Sequence, residues 1–143
     1  MYTHNIIKAS FLFLLRGDCI LFSKRKNTVY FDGFISVPSG NVEKGETFLS
    51  AIIREAHEEL DICLDKIDLI PVHIMHRITQ DDESINVFFT SNSWKGNILN
   101  KEPDKCVKVF WSEINILPKN IIPFLSHAIT CYRNKEYFSE VRL

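Results

Sequence analysis

Between Gly40 and Ile62 the chain reads Gly40-x5-Glu46-x7-Arg54-Glu55-Ala56-x-Glu58-Glu59-Leu60-Asp61-Ile62. The stretch after Thr47 has helical character, and residues three and four apart share one face of a helix, so Glu55, Glu58 and Glu59 project together. Like charges placed so repel by a few tenths of a kcal/mol per pair, in the order of magnitude known for exposed helices. A bound cation removes that repulsion. Carboxylate oxygens without His or Cys suit a hard ion, and Mg²⁺, with Mn²⁺ as a substitute, habitually shares its shell with substrate phosphates. The implied substrate is therefore a phosphate. A solvated acidic face is the plainer reading of a Glu-rich helix. Against it, the six fixed positions plus apolar Ala56 arise by chance in roughly a few chains per million of this length.

The elements that position these residues follow from local signals. Ile6 to Arg16 and Cys19 to Arg25 are apolar segments flanking Gly17-Asp18, which reads as a hairpin tip. Phe34 to Val37 is a short strand stopped by Pro38-Ser39-Gly40, and Asn41 to Glu46 is a polar loop. Thr47 is the N-cap of a helix that buries Phe48, Leu49, Ile52, Ile53, Ala56 and Leu60. Ile67 to Ile78 and Ser84 to Thr90 read as strands around the loop Gln80-Asp81-Asp82-Glu83. Trp94 to Asp104 is a loop, Val107 to Trp111 a strand, and Phe124 to Arg133 a helix after Pro118 to Pro123. With 143 residues, one domain spanning 1–143 is expected, of a sheet-rich α/β class.

At this point the chain is identified as a member of the Nudix hydrolase family, MutT-like, because Gly40 to Ile62 resembles the Nudix box. Asp61 stands where the family has a second glycine, and Pro38-Ser39-Gly40 where Pro-Gly-Gly is common. Asp61 can take a left-handed C-cap conformation, less comfortably than Gly. The resemblance implies an α/β/α sandwich on a central mixed β-sheet. It also implies Glu55, Glu58 and Glu59 as metal ligands, with the Ser39 carbonyl available to join them. Glu55 and Glu58 are its catalytic candidates, Glu55 first as general base. Gly40, Glu46 and Arg54 match the positions that brace loop against helix. Outside the box it implies phosphate binding by Arg25, a further metal carboxylate from Glu102, and base recognition by Asn120.

The activity so implied is Mg²⁺-dependent hydrolysis of a diphosphate linkage, foremost that of a nucleoside triphosphate, giving the monophosphate and pyrophosphate. An NDP-sugar or dinucleoside polyphosphate as substrate, and a nucleotide-binding module that does not cut, are the alternatives. No P-loop motif and no Ser-His-Asp order is present. A formal net charge of -1 argues against a nucleic-acid polymer as partner, and no apolar run approaches membrane-spanning length. A cytoplasmic monomer or homodimer acting on a small nucleotide is the expectation. Trp94 and Trp111 are read as core. His73 and His76, three apart in a strand, face opposite sides, and the four scattered cysteines read as buried thiols.

Overall fold

The computed structural model of the chain describes residues 4–143. The first apolar segment is strand β1, Ile7–Arg16, and it is buried on both faces from Ala9 to Leu14. Because side chains alternate along a strand, Ala9, Phe11 and Phe13 enter one core while Leu12 and Leu14 enter the other. β1 turns at Gly17, φ 56°, into β2, Cys19–Arg25, and the hairpin pairs only at its tip, Leu15 with Ile20 and Arg16 with Cys19. Beyond the tip the strands part. β2 continues between β3, Ile35–Ser36, and β7, Cys106–Glu113. β1 pairs parallel with β6, Glu83–Ser91, which pairs antiparallel with β5, Ile70–Ile78.

The result is one mixed sheet with a helix on each face. Helix α1, Phe48–Leu60, lays Ile52, Ala56 and Leu60 against Leu12, Leu14, Val87 and Phe89. Helix α2, Pro123–Arg133, packs Leu125, Ala128 and Ile129 against Phe11, Phe13, Met75 and Phe88. The expected α/β/α layering on a mixed sheet is thus the observed one. Among the described residues no helix is long and apolar enough to cross a membrane.

Two strands went unanticipated. Ser39–Asn41, expected as turn and loop, is β4, and it pairs antiparallel with β1 through Phe11, Ser10 and Ala9. Phe138–Arg142 is β8, an edge strand parallel to β5. The strand expected from Ile67 starts at Ile70, because Asp65 accepts the Ile67 amide at 3.1 Å and winds Lys66–Asp68 into a 3₁₀ turn. Of the cysteines only Cys131 is buried, and Cys63 is exposed, so the buried-thiol expectation holds for one of them. Trp94 and Trp111 stack on each other at 6.1 Å, with the Arg16 guanidinium 4.3 Å from the Trp111 ring. His73 is buried between the Glu136 carbonyl and the Ser139 hydroxyl, each at 2.7 Å.

The ends of α1 are set by cap chemistry. Thr47 Oγ1 accepts the Ser50 amide at 3.0 Å, and Ser50 Oγ accepts the Thr47 amide at 2.9 Å, a reciprocal box. At the other end Asp61 is left-handed, φ 61° and ψ 31°, with its amide donating to the His57 carbonyl. A side chain in that region costs about 1 kcal/mol that glycine does not incur. The Asp61 contact to Lys101, 3.4 Å and solvent-exposed, offsets little of this. Asp61→Gly is therefore expected to raise stability by about 0.5–1 kcal/mol and the melting temperature by about 2–4 °C. Thermal denaturation checks it, and a lowered midpoint contradicts the C-cap account.

Candidate active site

The site is built where β4 crosses the middle of α1. Pairing with β1 holds Ser39 to Asn41 in place, and Ser10 Oγ donates at 2.7 Å to the Phe48 carbonyl at the helix start. Loop and helix approach so closely that a Cβ at Gly40 would land on the Glu55 carboxyl. The glycine at the head of the motif therefore serves close approach. Its neighbour Ser39 donates its amide to Glu59 Oε2 at 3.3 Å.

Arg54 organises the acidic groups around it. Its Nε donates to Glu46 Oε2 at 2.8 Å and its Nη2 to Glu46 Oε1 at 3.0 Å, a two-pronged pair. Nη2 also donates to the Asn41 carbonyl at 3.1 Å. Nη1 donates to Glu55 Oε1 at 2.8 Å and to Glu58 Oε2 at 3.3 Å. Glu46 in turn accepts the Glu43 amide at 2.9 Å, which ties the loop to the same fork. These hydrogen bonds, led by those from Arg54, hold the Glu46 carboxyl down at about 2.

The other carboxyls are pushed the opposite way. Burial raises Glu55, opposed by Arg54 and assisted by the charge of Glu58. Burial also raises Glu59 well above the usual carboxylate range, helped by the nearby charges of Glu55 and Glu102. Glu58 is the outermost of the three, its side chain 52% exposed against 16% for Glu55. The three box glutamates thus share a face but not an environment.

Glu102 reaches the group through the loop after Trp94. The amides of Leu99 and Lys101 donate to the Leu60 and Glu59 carbonyls at 2.9 and 3.0 Å, closing the helix C-terminus. Asn100 Nδ2 donates to the Cys106 carbonyl at 2.8 Å, and its Oδ1 accepts the Glu102 amide at 3.1 Å. Asn100 is a positioning residue that sequence reasoning missed, since its role depends on a loop closure with no local signature. Arg25 stands at a bulge: Lys24 pairs with Lys108 but Arg25 with Cys106, which turns Cys106 into the site in place of Val107. Among the described residues the buried Arg25 Nε has no hydrogen-bond partner.

These groups line one cavity of about 360 Å³, in which Glu55, Glu58, Glu59 and Glu102 meet Arg25 and Lys105. Lys105 and Thr28, also on its wall, were not anticipated. Asn120 is not part of the lining. It is exposed in a left-handed turn, φ 64°, its carbonyl accepting the Ile35 amide at 2.8 Å, and the N-cap of α2 is Ile122.

The donor set suits a hard divalent cation, since crowded carboxylates whose charged forms are disfavoured gain most from one. Among the described residues no three His, Cys, Asp or Glu side chains are already gathered as a ligand set. Arg54 holds Glu55 and Glu58, and Glu58 is the more exposed of the two.

Comparison with known proteins agrees with this fold. The NUDIX domain model matches residues 7–130. The fold is similar to a MutT NUDIX hydrolase of Burkholderia pseudomallei, TM-score 0.81 at 22% identity, covering 89% of this chain and 98% of that one. It is similar also to a mutator MutT protein of Bacillus halodurans, TM-score 0.79 at 16% identity, covering 96% and 90%. A third similar structure is a bifunctional NMN adenylyltransferase/ADP ribose pyrophosphatase of Francisella tularensis in complex with AMP and a manganese ion. There the TM-score is 0.66 at 19% identity, over 92% of this chain and 42% of that one. At such identities the structures speak to the fold, while the family model spans most of the chain. The chain belongs to the Nudix family and is a Nudix-type pyrophosphohydrolase acting on nucleoside diphosphate derivatives.

Proposed function

We propose that the protein hydrolyses a nucleoside triphosphate to the monophosphate and pyrophosphate with Mg²⁺, which Mn²⁺ can replace. The observation that carries this reading is the meeting of four carboxylates with Arg25 and Lys105 in one cavity. Glu55, Glu58 and Glu59 would hold the ion, with Glu102 and the Ser39 carbonyl as further candidate ligands. The ion, when bound, neutralises charge that grows on the phosphate oxygens as the bond breaks. The Francisella protein, of which this chain covers 42%, is complexed with a manganese ion.

The chain's own residues do the rest. Arg25, whose buried Nε has no partner among the described residues, grips a substrate phosphate with its planar fork. Glu55 takes the proton from the attacking water. Burial raises its carboxyl above the ordinary value, which makes the anion a better proton acceptor. Arg54 fixes the direction in which Glu55 points, and buried Pro38 and Leu60 supply a dry wall to the same cavity. The base edge of the substrate would meet Asn120 only from outside the cavity.

The test is product release from a panel of nucleoside triphosphates, an NDP-sugar and a dinucleoside polyphosphate, with Mg²⁺ and with chelator. Monophosphate and pyrophosphate from a triphosphate, abolished by chelator, is the expected outcome. Cleavage of the sugar nucleotide or dinucleotide alone overturns the substrate, and cleavage without metal overturns the chemistry.

A further inference from the structure

Among the described residues the cavity that holds the carboxylates carries no aromatic side chain on its wall. A nucleobase attached to phosphates held there must lie elsewhere. Most aromatic candidates are already engaged. Trp94 and Trp111 stack on each other, and Phe34 and Phe124 pack with Phe31, at 5.5 and 6.4 Å between ring centroids.

The segment 26–34, between β2 and β3, differs. Two of its non-glycine residues, Asn27 at φ 54° and Phe31 at φ 55°, are left-handed, uncommon for any side chain and most of all for a bulky one. The segment is nonetheless well tied. Asn27 Nδ2 donates to the Asp104 carbonyl at 3.2 Å and the Lys26 amide to the Lys105 carbonyl at 2.9 Å, joining it to the loop that carries Glu102. Within it the Thr28 amide donates to Asp32 Oδ1 at 3.3 Å and Thr28 Oγ1 to the Tyr30 carbonyl at 2.9 Å. With Thr28 on the cavity wall and Phe31 anchored on Phe124, the two residues between them are held out in water: Val29 is 92% exposed and Tyr30 69%. Strained backbone that persists under such bracing is a mark of a functional segment.

We infer that Tyr30, flanked by Val29, is the platform on which the nucleobase of the substrate stacks once its phosphates enter the cavity. The inference rests on the nucleotide reading above. A tyrosine ring offers a flat apolar face at small entropic cost, and stacking accepts any base because every base has a π-face. The platform selects for the presence of a planar base and not for its identity.

The experiment is equilibrium binding of non-cleavable α,β-methylene ATP, and separately of inorganic tripolyphosphate, to the full chain with Mg²⁺. Tyr30→Ala is expected to weaken nucleotide binding about tenfold, in the range of single base-stacking losses. Tyr30→Phe keeps the affinity of the parent, and tripolyphosphate binds all three alike. Unchanged nucleotide affinity in Tyr30→Ala, equal loss of both ligands, or failure of the parent to bind the nucleotide each overturns the platform. Should the parent cut no nucleotide yet show the Tyr30-dependent affinity, the hydrolytic reading falls and the platform stands.

Discussion

Replacing Glu59 by Gln is expected to lower kcat at least about 100-fold while making the metal-free protein more stable. The rate loss follows because one ligand charge contributes several kcal/mol to balancing the developing phosphate charge, and each 1.4 kcal/mol is about tenfold in rate. The gain in stability comes from the same position. Glu59 is buried beside Glu55 and Glu102, and its charged form is strongly disfavoured. Gln has the same shape, still accepts the Ser39 amide, and donates to Glu55 without bringing a charge. A substitution of ordinary size moves a domain of this length by about 1 kcal/mol, or about 3 °C in melting temperature.

The pH dependence has a definite sign. Both Glu55 and Glu59 are raised from 4.5 in the fold, so the folded state holds their protons more tightly than the unfolded chain. Their stability contribution is fully present below pH 4.5 and is lost as pH rises through the folded values. Metal-free parent protein should therefore lose stability on the alkaline side of that point, with a shallower slope in Glu59→Gln. On the proposed function, millimolar Mg²⁺ is expected to restore the parent by binding only the native state, and to leave the variant almost unmoved. Thermal melts from pH 4 to pH 8, with and without metal, read all of this. A variant that keeps its kcat, or melts below the metal-free parent, would falsify the assignment of Glu59.

How much of this arrangement was legible beforehand depends on how local each feature is. The helix and its caps were readable, since Thr47, the apolar spacing from Phe48 to Leu60 and the left-handed Asp61 all act within a turn or two. The common face of Glu55, Glu58 and Glu59 was readable for the same reason. Their separate environments were not, because burial of Glu59 arises from a loop some forty residues later that carries Glu102. β4 was hidden because Ser39-Gly40-Asn41 has no alternation of its own, and only the neighbouring edge of β1 makes it a strand. β8 alternates in burial but not in sequence, since Phe138-Ser139-Glu140-Val141-Arg142 puts polar residues on both faces, and its pairing with β5 depends on a turn after α2. Arg25 could be named from the family pattern, whereas the bulge that puts Cys106 beside it is set by pairing between distant segments. Asn120, also named from the pattern, is tied to β3 through its carbonyl and does not line the cavity.

The second large effect is expected at Arg54, and the informative variant is the one that keeps the charge. Arg54→Lys should cost about 100-fold in kcat/KM, the loss that a displacement of about 1 Å at a reacting group can cause. The guanidinium uses its fork to reach Glu46 twice, the Asn41 carbonyl, Glu55 and Glu58 at once. An ammonium is a point charge on a flexible stem and cannot span them. Arg54 touches no reacting atom in this arrangement, so it is a positioning residue, and two further readouts separate that role from loss of a ligand. The first is the acidic limb of the rate profile, which should move to higher pH, since Arg54 opposes the upward push of burial on Glu55. The second is acid stability. Glu46 is held at about 2 in the fold, against 4.5 unperturbed. A lowered carboxyl contributes stability above pH 4.5 that is lost as pH falls through about 2. The stability difference between parent and Arg54→Lys should accordingly be full above pH 4.5 and shrink toward nothing near pH 2. A Lys variant with parental kcat/KM and an unchanged acid limb would show that Glu55 and Glu46 are held by the helix and loop alone, and that the fork is dispensable.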